Sequence, residues 1–247
     1  MIAHLRDMLE TYQQWLVIAC VGVAVLAYSM GCLNGAVTVS RLFYKDDIRN
    51  YGSGNGGLTN FCRVYGGPLT VLVVLCDVLK AVVSMLFAIW LFNEISPELV
   101  TFGKYWAGLF CLLGHMFPCG YQFRGGKGVL SGGFIALLID WRVALVVWGG
   151  FLVLSFLTKY VSVGSVWAGL SFPFATAFVF HDSLLTGMGV VMGGLLVWKH
   201  RANIKRLITH KEPKFTFKMK GTYTPRNAVA EAPAEEPEEA SAEDSSR

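Results

Sequence analysis

Charge is what this chain most lacks. Only 15% of its 247 residues are Asp, Glu, Lys or Arg, while 54% are hydrophobic, whereas a soluble domain carries about a quarter charged residues. With a mean hydropathy of +0.49, the composition excludes a soluble globular domain and implies an integral membrane protein. A structural metal is also excluded. The six cysteines, Cys20, Cys32, Cys62, Cys76, Cys111 and Cys119, show no CxxC or Cys/His spacing of the kind such a metal needs, and read as small buried hydrophobes. No internal repeat is evident, and nothing beyond scattered basic residues favours a nucleic acid as partner.

Long apolar runs are what the chain does have. Spanning a bilayer takes roughly 20 residues of helix, and runs of that character are read at 15–39, 68–92, 105–118, 129–139, 143–158, 163–180 and 183–198. The expected fold is therefore an all-α polytopic bundle of about seven transmembrane helices. The third and fourth runs are short, as tilted or re-entrant pieces enclosed by protein would be. The first run is expected to be a retained helix: it is long, follows Asp7 and Glu10, and ends in polar Asn34 rather than a small-residue cleavage site.

Lysine and arginine set the orientation, because positive loops stay in the cytoplasm. Arg41, Lys45, Arg49, Arg63, Arg124, Lys127 and Lys159 fall in the connections after the first, third and fifth spans. The segment from Lys199 to Arg226 adds nine more, and the other side has only Arg6, Lys104 and Arg142. The N-terminus is expected outside and the C-terminus in the cytoplasm. Three regions follow: a short N-terminal segment 1–14, a transmembrane domain 15–215, and a tail 216–247 that runs from basic to acidic. Its last 21 residues hold seven of the seventeen acids and no aromatic residue, so disorder is expected there. The basic part suits contact with anionic lipid headgroups.

Three polar stretches map to the same membrane face. The first is "YGSGNGGLTN", Tyr51 to Asn60, with Arg63 just beyond. Its Ser53, Gly54, Asn55, Gly56, Thr59 and Asn60 offer hydroxyls, amides and backbone N–H groups for an anion-binding nest; an ordinary interhelical turn is the simpler reading. The second is "GHMFPCGYQFRGGKG", Gly114 to Gly128, where Gly125 and Gly126 let backbone approach a ligand and Arg124 and Lys127 supply charge for a phosphate. It lacks the GxxxxGK[ST] spacing of a nucleotide-binding P-loop. The third is "WKHRANIKRL", Trp198 to Leu207. At helical spacing His200 and Asn203 share a face, as do Lys199, Asn203 and Arg206. Cations here suit the negative end of a helix dipole; the amide of Asn203 has no such explanation.

Taken together, "YGSGNGGLTNFCR", "GHMFPCGYQFRGGKG" and "HRANIKRL", with "TKYVSVGS" between the last two, resemble the motifs of the bacterial acyl-phosphate:glycerol-3-phosphate acyltransferase family, the PlsY type. The resemblance spans about residues 31–215. It implies a seven-helix enzyme of the bacterial cytoplasmic (inner) membrane, with its site at the cytoplasmic face. The implied reaction acylates the 1-hydroxyl of sn-glycerol 3-phosphate from acyl phosphate, giving lysophosphatidic acid and phosphate, the first acylation step of phospholipid synthesis. No cofactor and no metal are implied. The partners are the two substrates, membrane lipids and, as a candidate, the enzyme of the same pathway that makes acyl phosphate.

The resemblance assigns catalytic roles to Ser53, Arg63, Lys127, His200 and Asn203. Gly54, Asn55, Gly56, Thr59, Asn60, Gly125, Gly126, Ser162, Ser165, Arg201 and Arg206 stand as substrate-binding, with Ser165 the serine that the resemblance matches to a functional position and Ser162 its alternative. Chemistry agrees: an acyl phosphate is already activated, so binding two phosphates, aiming a hydroxyl and stabilising charge are the main tasks. His200 is the obvious base by unperturbed pKa, and the family's mechanism instead uses a substrate phosphate oxygen. The soluble type of lipid acyltransferase uses an HxxxxD pair, and no histidine here has aspartate five positions later. The alternative from another class is a membrane transporter of phosphorylated metabolites, whose site belongs near the midplane.

The remaining polar residues take structural readings. Asp77 and Lys80, three apart in the second span, are expected to pair inside the bundle. Gly31 and Gly35 suggest close helix packing, Asn34 a brace for the first loop, and His115 an indirect structural role.

Overall fold

The computed structural model describes residues 2–214 and Tyr223. Among these the chain is helical, with no strand. Ten α-helices follow in order: α1 (Ile2–Cys32), α2 (Gly35–Phe43), α3 (Leu58–Val64), α4 (Leu69–Ile95), α5 (Val100–Met116), α6 (Val129–Ile139), α7 (Trp141–Thr158), α8 (Val161–Phe180), α9 (Ser183–Lys199) and α10 (Arg201–Ile208). The helices α1, α4, α7 and α8 are long and apolar enough to cross a membrane, and α6 and α9 are shorter apolar helices. Side chains such as Val21, Val25, Leu145, Phe156, Phe174 and Phe178 point outward. In water an apolar surface of this extent would be unstable; in a bilayer it faces its own solvent.

The seven apolar runs correspond to α1 and α4 to α9, with one correction. The first run is not a single helix. It breaks at Leu33 and Asn34, and its end becomes α2, a short buried helix lying against α4. Asn34 caps α2 by accepting from the Val37 amide at 3.0 Å. The break also exposes the Leu33 carbonyl, which accepts from Lys80 Nζ at 3.2 Å, while the Gly35 amide donates to Asp77 Oδ1 at 3.3 Å. The α4 ion pair, 2.7 Å between Lys80 Nζ and Asp77 Oδ1, is thus buried and structural. At the other end of the chain's start, α1 extends back to Ile2.

Glycines set the helix spacing. A methyl on Gly31 of α1 would strike the Cys111 carbonyl oxygen of α5, and one on Gly114 of α5 would strike that of Tyr28 in α1. Helices approach this closely only where both faces carry small residues. In α8, Pro173 has no N–H for the Gly169 carbonyl, which lies against Gly193 of α9. One end of the bundle brings together the C-termini of α1, α5, α7 and α9 with the N-termini of α4, α6 and α8. All three polar stretches lie at this end.

The expected tail, 216–247, falls outside the described residues except Tyr223, whose ring packs at 4.7 Å from Tyr65 and 5.5 Å from both Tyr44 and Tyr51.

Candidate active site

The first loop is organised from within by one amide. Asn60, 2% exposed, accepts from the Ser53 amide at 2.9 Å and donates to the carbonyls of Ile48, Tyr51 and Asn55 at 3.3, 3.1 and 3.0 Å. Gly52 has φ +57°, and a side chain there would collide with the Asn60 amide oxygen. Asn34 donates to the Gly56 carbonyl at 2.8 Å, bracing the loop from beneath. Asn60 and Asn34 therefore shape the loop, leaving the Ser53 and Thr59 side chains exposed at its surface.

This wiring narrows the expected nest. The Gly54 amide donates to the Tyr51 carbonyl and that of Gly57 to Asn55. The amides of Asn55 and Gly56 make no hydrogen bond within the described residues, so the donors left for an anion are fewer than the glycine count suggests.

The second loop is held by the end of α5. Gly125 and Gly126 donate to the carbonyls of Met116 and His115 at 3.3 and 3.1 Å, so their amides are taken by protein acceptors. They act as spacers: a methyl at Gly126 would lie 2.8 Å from the Gly56 carbonyl oxygen and on the His115 ring. The two loops touch through glycine at this point. Arg49, paired with Asp47 at 2.8 Å, ties them further by donating to the carbonyls of Tyr121 and Arg124 at 2.7 and 2.9 Å. His115 is buried with Nδ1 2.6 Å from Lys80 Nζ, the indirect role expected of it.

Lys127, the charged end of this loop, reaches across to α10 and donates to Asn203 Oδ1. Asn203 Nδ2 in turn donates to Glu212 Oε1 at 2.7 Å, and Arg206 Nε donates to Glu212 Oε2 at 2.7 Å. Arg63, in the last turn of α3, is near enough for its charge to act on Lys127. Burial first, and then the charge of Arg206, Arg63 and Lys199, brings Lys127 down to about 8 against the upward pull of Glu212. At His200 the cap between α9 and α10 places Nδ1 2.8 Å from the Leu196 carbonyl. A carbonyl only accepts, so Nδ1 carries the proton and Nε2 keeps its lone pair. Burial pulls His200 down to about 4 despite that hydrogen bond, so its ring is neutral at ordinary pH.

The structure separates the two serines. Ser165 Oγ donates back to the Val161 carbonyl at 2.8 Å within its own helix. Ser162 Oγ is buried without a hydrogen bond of good geometry and lies beside the Glu212 carboxylate. Arg201 is not drawn into the cluster: its guanidinium stacks 4.2 Å over the Trp198 ring. Lys199 donates to the Met116 carbonyl at 2.7 Å and anchors the second loop.

Glu212 is the member that sequence reasoning missed. Partial burial pushes its carboxyl up, but the hydrogen bonds from Asn203 and Arg206, with the Ser162 hydroxyl close by, win and hold it below the usual glutamate range. The available signal was its isolation, as it is the lone acid between Asp182 and Glu231 in a strongly basic stretch.

Beside the polar cluster lies a small apolar cleft of about 30 Å³ between α5, α6, α7, α8 and α9. Val129 and Leu196, respectively two residues from Lys127 and four from His200, form its near edge. No group of three metal-ligating side chains occurs among the described residues.

Fold and site together define a helical integral membrane protein with cationic and amide groups gathered at one end, over an apolar cleft. The chain belongs to the glycerol-3-phosphate acyltransferase family, whose pattern it matches over residues 21–210. It is 35% identical over 193 residues to a glycerol-3-phosphate acyltransferase of Fusobacterium nucleatum subsp. nucleatum, covering 78% of this chain and 96% of that one. One from Thermoanaerobacter pseudethanolicus is 34% identical over 191 residues, 77% and 93% of the two chains. The fold is similar to the crystal structure of PlsY (YgiH), an integral membrane glycerol 3-phosphate acyltransferase, in its glycerol 3-phosphate form. The TM-score is 0.70 and the identity 31%, over 80% of this chain and 96% of that one. A structure of the same protein in its lysophosphatidic acid form gives 0.67 and 29%, over 80% and 95%.

Proposed function

We propose that this protein transfers an acyl group from acyl phosphate to the 1-hydroxyl of sn-glycerol 3-phosphate, at the cytoplasmic face of a bacterial inner membrane, releasing lysophosphatidic acid and phosphate. The observation that carries this reading is the meeting of Lys127, Asn203, Arg206 and His200 at the edge of an apolar cleft. An acyl phosphate has a charged head and an apolar tail, and such a border receives both. The clustering of cations at this end favours the cytoplasmic side.

Lys127 and Arg206 supply positive charge for phosphate, and Asn203, held between Lys127 and Glu212, fixes their spacing. Ser53, exposed beside the Asn55 and Gly56 amides, faces the acyl-phosphate group from the first loop, and Arg63, close enough for its charge to act on Lys127, adds positive charge. The glycerol oxygen attacks the acyl carbon, the bond from that carbon to the phosphate oxygen breaks, and phosphate leaves. Its proton goes to a phosphate oxygen of the substrate. Before the attack the neutral His200 accepts the hydroxyl's hydrogen bond at Nε2 and aims it, and the hydrogen turns to the phosphate oxygen as the new carbon–oxygen bond forms. Little proton transfer is asked of a ring whose pKa is about 4, and most of the rate comes from orientation and charge.

The test is phosphate release from hexadecanoyl phosphate by purified protein in detergent or lipid, with and without glycerol 3-phosphate. Release that needs both substrates, forms lysophosphatidic acid and vanishes in Lys127→Ala is expected. Acylation supported only by a coenzyme A thioester or an acyl carrier protein would overturn the choice of donor.

A further inference from the structure

The first loop begins at Tyr51, and its charged end, Arg63, stands in the last turn of α3 with Tyr65 just beyond. These two tyrosines frame the residues assigned to the acyl-phosphate head. Tyr51 is tied into the loop by its backbone: its carbonyl accepts from the Gly54 amide at 3.0 Å and from Asn60 Nδ2 at 3.1 Å. Its hydroxyl donates to the Asp46 carboxylate. Tyr65 stacks on Tyr44, with ring centroids 3.9 Å apart and planes 20° from parallel. The Tyr65 hydroxyl is buried without a hydrogen-bond partner among the described residues, so ring contacts hold this side chain in place.

Tyr223 enters between the two ends. Its ring is tilted at 51° to Tyr65 with centroids 4.7 Å apart, and it meets Tyr51 edge-on at 5.5 Å and 76°. It meets Tyr44 in the same way, at 5.5 Å and 69°. Aromatic pairs prefer centroid separations of about 4.5–7 Å, with the positive edge of one ring toward the face of another, and all three contacts fall in that range. One side chain thereby touches both the start of the first loop and the end of α3. It lies beyond residue 210, where the match to the family pattern ends.

We infer that Tyr223 is a positioning residue for the acyl donor, clasping the two ends of the first loop and so holding Ser53 and Arg63 at the spacing that the acyl-phosphate head requires. This rests on the proposed reaction, in which the first loop faces that head. The groups assigned to glycerol 3-phosphate, Lys127, Asn203 and Arg206, stand on other elements, so loss of the clasp acts selectively on the donor.

The experiment measures the KM for hexadecanoyl phosphate, the KM for glycerol 3-phosphate, kcat and the melting temperature of the full-length wild type, Tyr223→Phe and Tyr223→Ala. Tyr223→Ala is expected to raise the KM for the acyl phosphate by about threefold or more, the worth of one or two ring contacts, with the KM for glycerol 3-phosphate unmoved. Tyr223→Phe, which keeps the ring, is expected to match wild type. Should Tyr223→Ala fail to fold, Tyr223→Leu, which keeps apolar bulk without a ring, carries the same comparison. An unchanged KM for acyl phosphate, a joint rise of both KM values, or a lower melting temperature with unmoved kinetics overturns the inference alone. So does an equal loss in Tyr223→Phe. Wild-type protein inactive with acyl phosphate overturns the reaction beneath it as well.

Discussion

Lys127 and Asn203, 76 residues apart, are joined by a direct hydrogen bond from the ammonium to the amide oxygen. The bond closes the gap between the second loop and α10, so the two motifs act as one site. Its energetic meaning follows from Lys127's surroundings: a largely buried ammonium with cations near it holds its proton less firmly, and here titrates at about 8.

The pH dependence of substrate binding should report this group. Its cation is present below about pH 8 and lost above, so the free enzyme loses affinity for glycerol 3-phosphate as pH rises through that value. The KM should rise toward about tenfold per pH unit beyond the break. A bound phosphate dianion stabilises the ammonium, so kcat should break at higher pH than kcat/KM. Rate measurements from pH 6 to 10 check this, and a flat KM across that range would refute it.

Glu212 tunes the same lysine. Its charge raises the Lys127 pKa, so Glu212→Gln removes that support and should move the KM break to lower pH. The variant keeps an oxygen for Asn203 but loses the charge-assisted bond to Arg206, a contact of about 1.5–3 kcal/mol when partly buried. A lower melting temperature together with the displaced break is expected. A lower melting temperature alone would mean that Glu212 only braces α10.

His200 gives a complementary signature. With its pKa near 4, the ring stays neutral from pH 5 upward, so no loss of rate from its protonation should appear between pH 6 and 7. Replacing His200 by Gln, which retains an acceptor, should preserve more kcat than His200→Ala. Equal losses in the two would show that the Nε2 lone pair does not aim the hydroxyl.

How far these features were legible in the residues depends on whether their causes are local. Apolar runs fix the helices because the bilayer asks only for length and hydrophobicity, and 129–139 coincides with α6 to the residue. The break at Leu33 was hidden inside an apolar run, since what holds it open is Asp77 and Lys80, more than 40 residues away. The glycine loop announced itself, but which amides remain free depends on where the Asn60 side chain turns. Ser162 and Ser165 lie three residues apart near the start of α8, and only the hydroxyl of Ser165 closes on its own helix. Glu212 drew no reading of its own, because a carboxylate's partners cannot be read from a basic neighbourhood alone.

The first loop's dependence on Asn60 leads to a stability prediction. Asn60→Ala removes four hydrogen bonds to backbone groups, three of them donated by one buried amide nitrogen. At about 1 kcal/mol for each bond of good geometry, the loss is about 2–4 kcal/mol. Asn60→Asp should be similar, since a carboxylate accepts from Ser53 but cannot donate to the carbonyls of Ile48, Tyr51 and Asn55. Thermal unfolding in detergent measures the first effect. Activity with Ser53 no longer fixed should fall further than stability alone explains, visible as a lower kcat at a temperature where the variant remains folded.

The ion pair at the break of the first run separates architecture from chemistry. Asp77 and Lys80 are buried at 2% and 3% exposure, and removing one partner of such a pair leaves an uncompensated charge, costing about 3–5 kcal/mol. Asp77→Leu and Lys80→Met should each destabilise by that order, while the double variant Asp77→Leu with Lys80→Met should recover part of the loss, because apolar groups need no partner. The recovery cannot be complete. Lys80 also holds the Leu33 carbonyl and Asp77 the Gly35 amide, and both stay without partners in the double variant. If the double variant equals the sum of the singles, the two side chains act independently on the break; the short Lys80–Asp77 distance argues for coupling, measurable as a positive interaction energy in a four-protein thermal unfolding cycle.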